Sequence, residues 1–380
     1  MKIAVPTETD RTETRVAATP DTVKKFIALG ATVAVQAGAG AGSRITDAEY
    51  QAAGATMAPD AASTLSDADI VLKVRRPTPD ELKSIKRGAL IVAAMDPYGH
   101  EDDVRAMADA GVTAFAMEFM PRITRAQVMD VLSSQANLAG YQAVIDAASN
   151  YGRALPMMMT AAGTIPAARV FVMGAGVAGL QAIATARRLG AVVTATDVRP
   201  AAKEQVESLG AKFIAVEDDE FKQAETAGGY AKEMSPDYRA KQAALVAEHI
   251  KKQDIVITTA LIPGRPAPRL VTADMVASMK PGAVLVDLAV ERGGNVEGAR
   301  PGEVAAVGDV KIVGYLNVPG RIAASASALY SRNLYAFVET MIDKANKSLA
   351  VNWDDELVKA TNLTRDGAVV HPAFAAKGGS

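Results

Sequence analysis

Apolar residues fall along this chain in two alternating rhythms. Short runs rich in valine, isoleucine and alanine occur at Lys2–Val5, Thr32–Gln36, Ile70–Val74, Leu90–Ala94 and Val112–Met117. Between several of them, at Pro20–Leu29, Asp47–Ala53 and His100–Ala110, apolar positions recur every three or four residues. The first rhythm predicts strands buried on both faces and the second predicts amphipathic helices. Their alternation predicts a parallel sheet covered by helices on both sides.

The texture changes at Pro121. Thr124–Asn150 contains no glycine or proline except Gly140, and the spacing predicts one long helix leaving the first domain. A second series follows, with strands at Arg169–Met173, Val192–Thr196, Lys212–Val216, Ile255–Thr259, Ala283–Leu288 and Lys311–Gly314. Helices are expected between them at Ala178–Leu189, Ala201–Leu209 and Asp237–Lys251. A further long helix, Ala323–Lys344, is expected to return the chain to the first domain, where the tail from Leu349 to His371 packs. The fold class that results is α/β, with two doubly wound parallel-sheet (Rossmann-like) domains separated by a cleft. The expected boundaries are residues 1–130 plus 322–380 for one domain and 131–321 for the other. Met157, Met158 and Met159 read as core filling.

One turn carries specific chemistry. The run Val170-Phe-Val-Met-Gly174-Ala-Gly176-Val-Ala-Gly179 is a strand feeding a G-x-G-x-x-G turn on which a helix opens, and the next strand ends in Asp197. Gly174 permits the tight turn, Gly176 lets backbone approach a pyrophosphate, and Gly179 lets the helix pack on the strand. The helix start offers free N–H groups and the positive end of its dipole to the phosphates. The Asp197 carboxylate is placed to accept ribose hydroxyls and to repel a 2′-phosphate, which predicts NAD(H) rather than NADP(H). Arg199, two residues on, is the group able to weaken that preference.

Three other stretches are candidates. Gln127, Asp130 and Ser133 lie at three-residue spacing just after Arg122, and form either a ligand-gripping face or a solvated helix start capped by Thr124. Gly228, Gly229 and Tyr230 sit in a long polar loop that is either a flap over ligand or plain surface. Thr258-Thr-Ala-Leu261 ends an apolar strand and should border a nucleotide.

Composition narrows the classes. The chain has 380 residues and a net charge of −2 with both signs interspersed, which argues against a nucleic-acid surface. It has no cysteine and three scattered histidines, so neither disulfides nor a metal site is expected. No apolar run reaches bilayer length and no leader-like segment opens the chain, so a soluble cytoplasmic protein is expected.

Taken together, these motifs resemble the NAD(H)-binding component of the proton-translocating nicotinamide nucleotide transhydrogenases. The resemblance also rests on Arg15-Val-Ala-Ala-Thr-Pro20, Pro121-Arg-Ile-Thr-Arg-Ala-Gln127, Gln135-Ala-Asn-Leu-Ala-Gly-Tyr141 and Glu225-Thr-Ala-Gly-Gly-Tyr230, and covers nearly the whole chain. It implies that Arg122, Gln127 and Asp130 contact the nicotinamide end of the cofactor, with Ser133 nearby. It places Val177 in the glycine turn, Val198 and Arg199 with Asp197 at the adenosine ribose, Gly229, Tyr230 and Gln242 at a mobile loop, and Leu261 along the crevice. It implies direct hydride transfer from NADH to NADP⁺ held on a partner component, coupled to proton movement through a membrane-spanning component. With no span after Lys344, the chain resembles the version in which this component is a separate soluble subunit, a homodimer held at the inner face of the membrane through its partners. Alanine dehydrogenase resembles the same architecture. Where that enzyme carries a lysine, a histidine and an aspartate, this chain reads Arg75, Asp96 and Glu291. Arginine cannot move a proton near neutrality, which disfavours that alternative. A non-catalytic NAD-binding module is the remaining one.

Overall fold

The computed structural model describes residues 1–223 and 234–375. The chain divides into two compact units, residues 1–135 with 319–380 and residues 136–318. In the first, eight strands lie in the spatial order Ala368–Val369, Asn362–Arg365, Thr113–Ala116, Leu90–Ala94, Ile70–Arg75, Lys2–Val5, Thr32–Gln36, Thr56–Ala58. The six from Thr113–Ala116 to Thr56–Ala58 are parallel, while the two tail strands add antiparallel. Central strands need apolar side chains on both faces, and Ile3, Ala4 and Val5 are all fully buried. Helices start at sequence-encoded caps: at Asp47–Ala52 the Thr46 hydroxyl accepts from Glu49 N–H at 3.3 Å, and the Glu49 carboxylate accepts from Thr46 N–H at 2.7 Å. The Ala323–Glu339 helix buries Tyr330, Leu334, Phe337 and Val338 in the same core as Phe26 and Phe115.

The second unit repeats the plan. Its seven strands lie in the order Lys212–Phe213, Val192–Thr196, Arg169–Met173, Ile255–Thr258, Val284–Asp287, Val310–Val313, Val304–Val307, with only the last antiparallel. In both sheets the first strand of the series sits beside the fourth, with the second and third running outward on the other side. That is the doubly wound order, and the reversal point leaves a crevice at the strands' carboxyl ends. Among the described residues no helix is long and apolar enough to cross a membrane.

Several expectations are corrected. The segment 124–150 is not one helix: a 3₁₀ stretch, Thr124–Met129, gives way at Asp130 (φ −76°, ψ 91°) to the α-helix Val131–Tyr151. Residues 131–135 go with the first unit because Gln135 accepts from Arg15 Nη1 at 2.8 Å and donates to the Ala326 carbonyl at 3.2 Å. Met157, Met158 and Met159 are not core. They lie at 60%, 51% and 68% exposure on and beside an isolated hairpin, Met158–Thr160 with Gly163–Ile165. The long C-terminal helix stops at Glu339, where a short ribbon, Ile342–Asp343 with Ser348–Leu349, takes over.

Candidate functional site

The glycine turn is built as its spacing requires. Gly174 has φ +105°, and a Cβ there would lie 2.5 Å from Thr259 Oγ1. A Cβ on Gly179 would meet the Gly174 carbonyl oxygen at 1.8 Å, so the helix rests directly on the turn. Gly176, the N-cap of the Val177–Arg188 helix, is different: a Cβ there meets nothing within 4 Å. The backbone between Gly174 and Gly179 is therefore pinned beneath and open above, which suits a pyrophosphate against helix N–H groups. Gly140 supports the arrangement from below, since a Cβ there would fall 2.0 Å from the Ala178 carbonyl oxygen. That close approach was hidden in sequence; the one signal was the lone glycine in a helical stretch.

Around this turn the second unit gathers Val177, Asp197, Val198, Arg199, Gln242 and Leu261. Asp197 directly follows the strand Val192–Thr196 beside the turn and accepts from Ala175 N–H at 2.7 Å, tying the acid to the glycine backbone. Arg199 forks onto the same carboxylate, Nε to Oδ1 at 2.9 Å and Nη2 to Oδ2 at 3.0 Å. Val177, Val198 and Leu261 are exposed apolar side chains at the strands' carboxyl ends. Gln242 is a brace, donating to Thr196 Oγ1 at 3.1 Å and accepting from Val216 N–H at 2.9 Å. Asn295, not singled out by sequence, is fully buried and holds the loop after Thr258 by accepting from Ala260 N–H (3.0 Å) and donating to the carbonyls of Ala260 (2.9 Å) and Pro268 (2.8 Å). Neighbouring Asp287 is buried as well. Desolvation pushes its carboxyl upward against the N–H bonds from Val296 and Ala289, both 2.9 Å. Gly229 and Tyr230 lie outside the described residues.

Arg122, Gln127, Asp130 and Ser133 belong to the first unit. Arg122 and Gln127 are exposed, whereas Ala126 and Met129 bury themselves in the core and fix the loop between them. The cap of the following helix is Asp130, not Thr124: its carboxylate accepts from Ser133 N–H at 2.8 Å and Ser133 Oγ at 2.5 Å. Arg125 is spent on Asp355 and Glu356.

The reversal point of the first sheet holds a group that sequence reading only brushed. Glu13 takes a bidentate pair from Arg15, with Nε and Nη2 each at 2.7 Å, and a third bond from Arg75 Nε at 2.9 Å. Burial alone would raise its carboxyl, but the two guanidinium groups hold it below the ordinary glutamate value. Beside it Lys73 lies between Glu81 at 2.7 Å and Glu8 at 3.4 Å, all three buried. Desolvation dominates at Glu8 and moves it upward despite Lys73.

Two family profiles together cover most of the chain. The family profile described as "Alanine dehydrogenase/PNT, N-terminal domain" matches residues 4–139, and "Alanine dehydrogenase/PNT, C-terminal domain" matches 143–372. The chain is similar to the first of the separate pieces of the NAD(P) transhydrogenase subunit alpha of Rhodospirillum rubrum, 56% identical over all of both chains. Among solved structures it is similar to a transhydrogenase from Sinorhizobium meliloti, 65% identical with a TM-score of 0.89 over 97% of this chain and 100% of that one. It is also similar to the alanine dehydrogenase of Halomonas elongata, at 31% identity over 99% of this chain and 96% of that protein. With profiles spanning both units and a relative matched along its full length, the chain belongs to the alanine dehydrogenase/PNT family and, within it, to the oxidoreductases named NAD(P) transhydrogenase subunit alpha.

Proposed function

We propose that this chain binds NAD(H) on the Gly174–Gly179 turn and positions it for direct hydride exchange with NADP(H) held by a partner component. A membrane-spanning component would couple that exchange to proton translocation and hold this chain at the inner face of the membrane. The observation that carries the reading is the open Gly176 backbone at a helix N-terminus, with Asp197 tied to the same turn. The bound nicotinamide supplies the hydride. The chain's own residues then have to bind, orient and keep water out, because no proton accompanies a hydride and no acid or base is required. Arg122 and Gln127, presented on a loop pinned by Ala126 and Met129, would orient the carboxamide end, with Asp130 and Ser133 fixing the helix start beside them. Gly229 and Tyr230, outside the described residues, are proposed as further nucleotide contacts.

The alanine dehydrogenase alternative needs a group that moves a proton near neutrality. Arg75 stays charged and spends its Nε on Glu13, so that reading is disfavoured. A homodimer is supported by the Met158–Thr160 and Gly163–Ile165 hairpin: two strands with exposed methionines and Ile165 are marginal alone and call for a second copy to cover them.

The test mixes the chain with an NADP-binding transhydrogenase component and follows reduction of an NADP⁺ analogue by NADH. Gln127→Asn should slow single-turnover transfer by more than about tenfold, as one misplaced contact does, while NADH affinity changes less than about threefold. Transfer at the wild-type rate would remove the positioning role, and absence of transfer by the wild-type chain would overturn the reading.

A further inference from the structure

The Asp197 carboxylate has no room left. Oδ1 accepts from the Arg199 backbone N–H at 2.9 Å and from Arg199 Nε at 2.9 Å; Oδ2 accepts from Ala175 N–H at 2.7 Å and from Arg199 Nη2 at 3.0 Å. A carboxylate offers about four lone-pair positions, so a ribose diol arriving here finds all of them filled. The two backbone bonds hold the turn and the chain after the strand. The two guanidinium bonds come from a side chain at 32% exposure reaching a carboxylate at only 8%. They are the two that a ligand can displace.

We propose that Arg199 is an internal competitor for the ribose subsite, a specificity-determining residue that must release Asp197 before the adenosine diol can bind. The inference rests on the NAD(H) reading above. Arginine suits the role because its planar fork matches a carboxylate with two parallel bonds, mimicking the pair of hydroxyls it yields to. Pro200 restricts the backbone of Arg199, the residue that precedes it. A fork with one partner open to water is weak enough for a diol to exchange. Once displaced, the guanidinium stays at the rim of the ribose position, where a 2′-phosphate would sit. Arg199 therefore lowers NADH affinity and softens the rejection of NADPH that Asp197 alone would impose.

Calorimetric titration of the full chain with NADH, NADPH and a reduced nucleotide carrying 2′-deoxyadenosine tests this. Arg199→Ala should bind NADH roughly three- to tenfold tighter, the range of a freed exposed fork, and NADPH more weakly than wild type. The 2′-deoxy nucleotide should gain less than NADH, because it uses one fewer vacated position. Arg199→Lys, which keeps the charge without the fork, should fall between, and it carries the test if the alanine variant folds poorly. Unchanged or weaker NADH binding in Arg199→Ala, or equal gains for NADH and its deoxy analogue, overturns the inference while leaving the cofactor reading in place. A folded wild-type chain that fails to bind NADH at all overturns both.

Discussion

At the reversal between Lys2–Val5 and Ile70–Arg75 the first sheet ends in ion pairs. At the matching reversal between Arg169–Met173 and Ile255–Thr258 the second ends in bare backbone. Both crevices come from the same strand order. The first is filled by its own side chains: Glu13 satisfies Arg15 and Arg75, and Lys73 satisfies Glu8 and Glu81. The second is left open by its glycine backbone, and the carboxylate beside it, Asp197, is paired with Arg199. Topology supplies the crevice, and the turn residues decide whether it takes a ligand or closes on itself.

The sharpest way to break this comparison lies in the glycines. Gly179→Ala drives a methyl into backbone, 1.8 Å from the Gly174 carbonyl oxygen, and neither partner is a flexible side chain. It should cost more than about 3 kcal/mol of stability, measured by urea unfolding, and abolish NADH binding. Gly176→Ala meets nothing within 4 Å, at an ordinary backbone φ of −75°. It should leave stability within about 0.5 kcal/mol of wild type while weakening NADH binding by at least about tenfold. If Gly176→Ala binds NADH normally, the open face is not a phosphate cradle.

Next in size is the filled crevice. Glu13→Gln leaves Arg15 and Arg75 without their shared carboxylate and should cost about 3 kcal/mol at pH 7, as breaking a buried pair does. The folded-state carboxyl of Glu13 is lowered, so its contribution is present above the ordinary glutamate range and lost as pH falls through the folded value. The gap between wild type and variant should therefore narrow on acidification below that range. A gap that stays constant down to acid unfolding would show that the pairing does not stabilise the fold. NADH binding should be unchanged at either pH.

The contrast between the crevices was half visible in the sequence. Gly174, Gly176, Gly179 and Asp197 stand at readable spacings because the backbone geometry of the turn constrains them, and the strand runs are legible because both faces of the central strands are buried. The Glu13 group is set by residues distant in the chain meeting at the ends of central strands, as Arg75 Nε and Glu13 do across 62 positions, and no local pattern records that. Arg199 was noticed for its charge, but its side chain's fold-back onto Asp197 is a rotamer choice invisible to spacing. The helix break at Asp130 carried a readable sign in Asp130-x-x-Ser133, a cap pattern overridden by the apolar period around it. The methionine triplet is exposed where core was expected, because composition cannot tell a buried apolar run from an exposed one.

The smallest test sets one hydroxyl against another. Tyr330, buried beneath the filled crevice, accepts from Ala94 N–H at 3.0 Å and faces the carbonyls of Lys73 at 3.0 Å and Val74 at 3.2 Å. Tyr330→Phe keeps the ring but leaves the part-buried Ala94 N–H without this hydroxyl, which should cost about 1–2 kcal/mol. Thr259 Oγ1, under the open turn, donates to the Gly174 carbonyl at a longer 3.2 Å and is only partly buried. Thr259→Val keeps the shape beside Gly174 and Gly179, and should cost about 0.5–1 kcal/mol with NADH affinity within about twofold of wild type. The ordering matters more than either value. A filled crevice is held by its polar bonds, whereas an open one is held by the steric fit of glycine backbone, so the hydroxyl should count for less where the glycines do the holding. If Thr259→Val proves as costly as Tyr330→Phe in urea unfolding, hydrogen bonding supports the open turn as strongly as the filled one, and the distinction between the two crevices narrows to their charge alone.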